Sequence, residues 1–135
     1  MDLPSSLIIK RGTILHSVIF EYIDHGKFFV IMGEDDKNYI GLFFINSKIN
    51  SFNNKPLLRQ MQYEMRVSDY DFLDHDSYLC CTELTKIDKK RLDESLSEGT
   101  TQYKGFMQQD HLDAVLQLVR GSKLFSEQEK QLFFI

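Results

Sequence analysis

Tryptophan is absent from this chain, and its two cysteines are neighbours, Cys80 and Cys81. Adjacent residues on a strand point to opposite faces, so these two are poor disulfide partners for each other. They read as one buried and one outward thiol in a reducing cytoplasm. No CxxC or HxxxH spacing accompanies them, which argues against a metal site, and no cofactor is expected. Long apolar runs are missing as well. The longest, residues 40–45, contains Gly41 and is far too short to span a bilayer, so no membrane role is expected. The start, Met1-Asp2-Leu3-Pro4, has no basic region followed by an apolar stretch and is not read as a secretion signal. GxxxxGK, GxSxG and GxGxxG are all missing, which sets aside P-loop, hydrolase-elbow and dinucleotide chemistry. Asp69, Asp71 and Asp74 have part of the spacing of a calcium loop, but the required Gly and distal Glu are not there. A solvated acidic turn is the better reading.

What remains is a chain of 135 residues with 11 phenylalanines, enough for a single domain over 1–135 with a real core. Its formal charge of −4 is unevenly spread, +1 over residues 1–68 and −5 over 69–135. Lys48, Lys55, Arg59 and Arg66 make a mild basic strip, which is not a nucleic-acid tract by itself.

Residues 13–23 are rich in β-branched and aromatic side chains and read as a strand. Asp24-His25-Gly26-Lys27 reads as a hairpin turn. Residues 28–32 are continuously apolar and predict a strand buried on both faces. Residues 33–38 read as a charged turn and 39–46 as one further strand. The polar stretch 47–56 reads as a loop. Shorter strands are expected at 63–68, 77–81 and 84–87. The period then changes. Asp88 caps a helix stopped by Glu98-Gly99, a strand follows at 100–107, and Asp110 caps a second helix ended by Gly121. Ser126 to Glu129 form a capping box before a last turn. The fold class is therefore α+β, mainly β, with helices near the C-terminal end.

Three blocks carry a family likeness. Residues 76–92, DSYLCCTELTKIDKKRL, hold a strand with "DS", an "ELxxID" strand and a helix start ending in Arg91-Leu92. Lys10-Arg11-Gly12-Thr13-Ile14 precedes them, with Thr13 where an acid is usual. Gly105-Phe106 and the helix from Asp110 follow. In this order the chain resembles the plasmid-maintenance toxins of the PemK/MazF type. The resemblance implies a small Src-homology-three-like β-barrel with C-terminal helices and a metal-free endoribonuclease. It also implies a homodimer and a disordered antitoxin-like protein partner. Active members carry an Arg-Pro pair at the start of the second strand. Here Phe28-Phe29 occupies that place, so the catalytic Arg is missing. Asn46 aligns with the Thr or Ser that follows the third strand, and a shift of one residue brings Ser47 there.

The candidate catalytic residues are accordingly Lys27, Asn46 and Ser47, with Arg11, Lys27 and Lys48 to hold RNA phosphates. Metal-free RNA cleavage needs a base, an acid and a cation on the phosphorane, and Phe supplies none of them. Lysine offers a point charge without a two-pronged grip. His16 and His25 are candidates for acid–base work near neutral pH, but a lone histidine in a strand or turn is more often structural or solvated. The expected function is single-stranded RNA interaction with weak or lost cleavage. The alternatives are a catalytically dead barrel acting as a protein-interaction module, and an unrelated small α+β domain.

Overall fold

The computed structural model describes residues 9–20, 26–48 and 55–134. It is mixed α and β, mainly β, with antiparallel sheets, a short helix near the middle and its longer helices from residue 89 onward. The strands are β1 (Thr13–Ser17), β2 (Lys27–Val30), β3 (Gly33–Glu34), β4 (Asn38–Ile40), β5 (Phe43–Asn46), β6 (Gln62–Met65), β7 (Ser77–Cys80), β8 (Lys86–Asp88) and β9 (Thr101–Phe106). The helices are α1 (Pro56–Arg59), α2 (Lys89–Glu98), α3 (Gln109–Arg120) and α4 (Glu127–Phe133). Six strands form one sheet in the order β6-β7-β5-β2-β1-β9, and β3-β4-β8 form a second.

The larger sheet does not close, which corrects the expected barrel: β6 and β9 are its two edges. The reason lies in the central strands. Ile14, Val30, Met32, Phe43 and Ile45 enter one core with Leu112, Val115, Leu116, Val119, Phe125 and Phe134 of the C-terminal helical region. Their sequence neighbours Leu15, Phe29, Ile31 and Leu42 enter a second core with Tyr39, Ile87 and Leu92. Strand side chains alternate between faces, so both faces are apolar and both need cover. Here α3 and α4 cover one face, while α2 and the small sheet cover part of the other.

The expected strand over 39–46 is broken in two. Gly41 has φ +70° there, and a Cβ at that position would stand 2.9 Å from the Cβ of Met32. That left-handed step favours glycine, and it hands β4 to the small sheet and β5 to the large one. The charged stretch 33–38 also contributes β3, with Asp35 Oδ1 accepting from the Lys37 and Asn38 amides across the turn.

The helix signals were legible. Asp88 accepts from the Arg91 amide at 3.0 Å, and Gly99, at φ +85°, ends α2. Ser126 and Glu129 form the full capping box of α4. Asp110, expected as the cap of α3, instead lies in its first turn; the N-cap is Gln108, without a side-chain cap, so Asp110 only complements the helix N-terminus by its charge. No described helix is long and apolar enough to cross a membrane. Within the predicted first strand and hairpin, residues 21–25 lie outside the described residues, as do 49–54 of the polar loop.

Candidate functional site

The second face carries a polar row that crosses the large sheet. Thr101 on β9 pairs with Ser17 on β1, and Ser17 pairs with Lys27 on β2. Two residues on from the Phe29–Phe44 pair, Lys27 reaches Asn46 on β5. Asn46 pairs with Tyr78 on β7, and Tyr78 with Glu64 on β6. The adjoining row reads Tyr103, Leu15, Phe29, Phe44, Cys80, Gln62 along the same strands. That row packs the second core at its centre and turns polar only toward β7 and β6.

The polar row begins buried and ends open. The Thr101 hydroxyl donates to Ser17 Oγ at 2.7 Å, and Ser95 of α2 lies 2.6 Å from Thr101 Oγ1. All three of these residues are buried. From Lys27 onward the side chains are partly exposed, and Glu64 is exposed. The Lys27 ammonium donates to Asn46 Oδ1. Burial lowers the pKa of Lys27, and the nearby Cys80 opposes that shift. Desolvation disfavours the charged form of an amine, so this cation is held beside an amide in partial shelter from water.

Around the pair, the Gln62 side-chain amide donates to Cys80 Sγ at 3.4 Å, and Cys80 lies 3.3 Å from Thr82 Oγ1. Cys80 is the outward thiol and Cys81 the buried one, as strand alternation predicted. Burial pushes the Cys81 thiol well up, with Cys80 adding to the effect, so Cys81 is a core residue and a poor nucleophile.

The structure therefore joins Lys27 and Asn46. Ser47 and Lys48 follow directly and are exposed. Arg11 does not join them. It precedes the far end of β1, roughly 20 Å from Ser17 at strand spacing. Its Nε donates to the Met32 carbonyl at 2.9 Å, and its Nη2 donates to the Phe133 carbonyl at 2.8 Å. Burial, and then the charge of Arg120, lower its pKa. Arg120 in turn donates to the Phe134 carbonyl. The two guanidiniums fasten the end of α4, as cations near helix C-termini do.

His16 sits on the other sheet face against Phe28, with ring centroids 4.6 Å apart. A Cβ on Gly26 would fall 2.0 Å from the His16 ring, so the backbone lies directly on the imidazole. His16 is thus a packing residue, while His25 lies outside the described residues. Phe28 packs on Phe72, and Phe29 and Phe44 pack with Phe20, so the aromatic pairs belong to the cores.

Sequence reasoning missed Tyr78, Glu64, Gln62 and Ser17 as members of this surface. Alternation on each strand was readable, but the register that aligns six strands was not. No protein-family model and no curated protein matches the chain.

Proposed function

We propose that this protein is an RNA-interacting relative of the PemK/MazF-type toxins that binds single-stranded RNA along the polar row and has lost most or all metal-free cleavage. The observation that carries this reading is the hydrogen bond from Lys27 to Asn46. Both belong to the candidate catalytic set of Lys27, Asn46 and Ser47, and they lie 19 residues apart in the chain. A cation beside an amide is suited to a phosphate oxygen and a base edge, and a phenol such as Tyr78 offers a face for stacking. Lys48 adds a phosphate contact beside Asn46 and Ser47. Arg11 is better assigned to the fold than to RNA.

Loss of cleavage follows from what stands in place of the Arg-Pro pair. Phe28 and Phe29 pack into aromatic clusters and offer neither a charge nor a proton. His16 stands on the opposite face from Lys27. Without an acid, a base and a two-pronged cation, the transition state of cleavage loses several orders of magnitude of stabilisation. In this reading the protein works in the cytoplasm as a homodimer with an antitoxin-like partner.

A second reading, a protein-interaction module, draws on edge strand β9. Tyr103 and Phe106 there are 41% and 40% exposed and touch each other, and the Lys10 ammonium lies 4.7 Å from the Phe106 centroid. An edge with no second strand partner among the described residues, carrying exposed aromatics, is a surface to which another chain can add.

The test is a long unstructured RNA incubated with the protein without metal, beside a Lys27→Ala/Lys48→Ala variant, and read for both retention and fragments. The expected result is intact RNA, retained in a salt-dependent way by the wild type and weakly by the variant. Discrete fragments from the wild type alone would restore the ribonuclease. Equal retention by both proteins, or by neither, would move the search to protein partners.

A further inference from the structure

The segment 66–76 joins β6 to β7 and carries Asp69, Asp71, Asp74 and Asp76. Despite that charge it is fastened to the start of α3. Tyr70 is buried, and its hydroxyl oxygen accepts from the Gln108 amide at 3.1 Å. The same hydroxyl lies 2.8 Å from His111 Nδ1. Gln108 Nε2 also donates to the Asp69 carbonyl at 3.0 Å. Inside the segment, the Asp69 amide donates to the Arg66 carbonyl and the Leu73 amide to the Tyr70 carbonyl.

These contacts favour one set of proton positions. A hydroxyl has one proton. The Tyr70 oxygen already accepts from Gln108, and burial raises the Tyr70 pKa, so the group is a phenol with its proton to place. Donation to His111 Nδ1 satisfies it. His111 is then the neutral tautomer with its proton on Nε2, which faces Asp110 Oδ2 at 3.9 Å.

The groups facing the imidazole are Tyr70 from the segment, Tyr63 from β6, and Asp110 from its own helix. Asp69 and Asp110 both act electrostatically on Tyr63 and Tyr70, the ring's aromatic neighbours. Acid charges an imidazole. The only nitrogen free to take the proton is Nδ1. Once Nδ1 carries a proton it donates to the Tyr70 oxygen, and the buried Tyr70 O–H has to give up its acceptor.

We infer that Tyr70 and His111 form a proton-sensitive latch, closed on neutral His111 and loosened when Nδ1 is protonated. The balance is one proton gained by Nδ1 from solvent and one hydrogen bond reversed. No bond is broken and no co-reactant is needed. The segment runs straight into Ser77 and Tyr78 of β7, so the latch governs how firmly that end of the polar row is held. The inference does not depend on the RNA reading.

The experiment is amide exchange of Asp69 and Leu73, expressed as protection factors, from pH 8 to pH 5. His111 ring nitrogen shifts are followed in the same samples. Protection in the wild type is expected to fall by about tenfold as the ring titrates, the loss of one buried hydrogen bond. His111→Gln keeps a polar group that does not titrate, so its protection is expected to stay flat. Tyr70→Phe is expected to be low throughout. Wild-type protection that stays level or rises while the ring titrates would overturn the inference without recourse to either variant. So would a ring proton on Nδ1 at pH 8.

Discussion

On one face of the six-stranded sheet, the C-terminal helices press aromatic residues into a closed layer, with Phe43 stacked on Phe134 and tilted against Phe125. On the other face, α2 and the small sheet stop short, and beyond them the row from Lys27 to Glu64 meets solvent. The same strands supply both faces through residues that alternate in sequence. The first face is closed by elements that arrive last in the chain, and Arg11 and Arg120 fasten their end. The second is left partly open, and its partly sheltered cation Lys27 is held by a side chain from the neighbouring strand. A cation engaged with backbone carbonyls belongs to the fold. A cation engaged with a side-chain amide at the margin of cover is placed to exchange that partner for a ligand.

The sharpest way to break this contrast is to empty the closed face. Phe43→Ala removes a fully buried ring between two others. It is expected to cost about 3–5 kcal/mol in denaturant unfolding. A loss under about 1 kcal/mol would mean that the helical cover does not bear on the sheet as described.

Arg11→Ala comes next. It leaves the Met32 and Phe133 carbonyls without these donors and is expected to cost about 1–3 kcal/mol. Arg11→Lys is expected to recover only part of this, because an ammonium lacks the fork that reaches both carbonyls. RNA retention by Arg11→Lys, measured under conditions where it is folded, should match the wild type. A selective loss of retention would return Arg11 to the binding surface.

Tyr39 tests the second core through pH. Burial, with the charges of Asp93 and Glu34, pushes its phenol from 10.0 up to about 12. The folded state holds the neutral form, so its contribution is complete below pH 10 and is lost as pH rises from 10 toward about 12. Tyr39→Phe should remove that part of the alkaline loss of stability. An unchanged slope over that window would show that the phenol is freely solvated.

The smallest effect on stability is expected at the open row. Lys27→Met keeps the apolar stem and removes a partly desolvated charge, so unfolding should shift by no more than about 1 kcal/mol. A loss as large as that of Arg11→Ala would erase the distinction between the two cations and make Lys27 a structural residue.

Local signals were legible wherever the physics is local. Asp88, Gly99, Gly121 and the Ser126–Glu129 box marked helix ends because capping depends on residues within one turn. The apolar run around Phe29 and Val30 predicted a strand buried on both faces, and the two cores divide it residue by residue. The break at Gly41 was missed, because a glycine inside an apolar run reads as strand until its close approach to Met32 is known. The barrel was expected from the order of motifs, and order does not say whether edge strands meet.

Of the candidate site, Lys27 and Asn46 were named from sequence, and only folding placed them in contact. Arg11 looked like their companion because residue type is visible in a sequence and distance is not. Tyr78, Glu64 and Gln62 were invisible for a related reason. A one-residue change of register would turn each to the opposite face, and register is set by cross-strand packing between segments far apart in the chain. The sequence by itself determined the class of elements, their ends and the two-faced apolar character of the central strands, all of which follow from local stereochemistry and hydrophobic periodicity. Tertiary structure alone decided that the sheet stays open, which cation belongs to the fold, and that side chains from several strands line up as one polar row, because each of these depends on pairing across long stretches of chain.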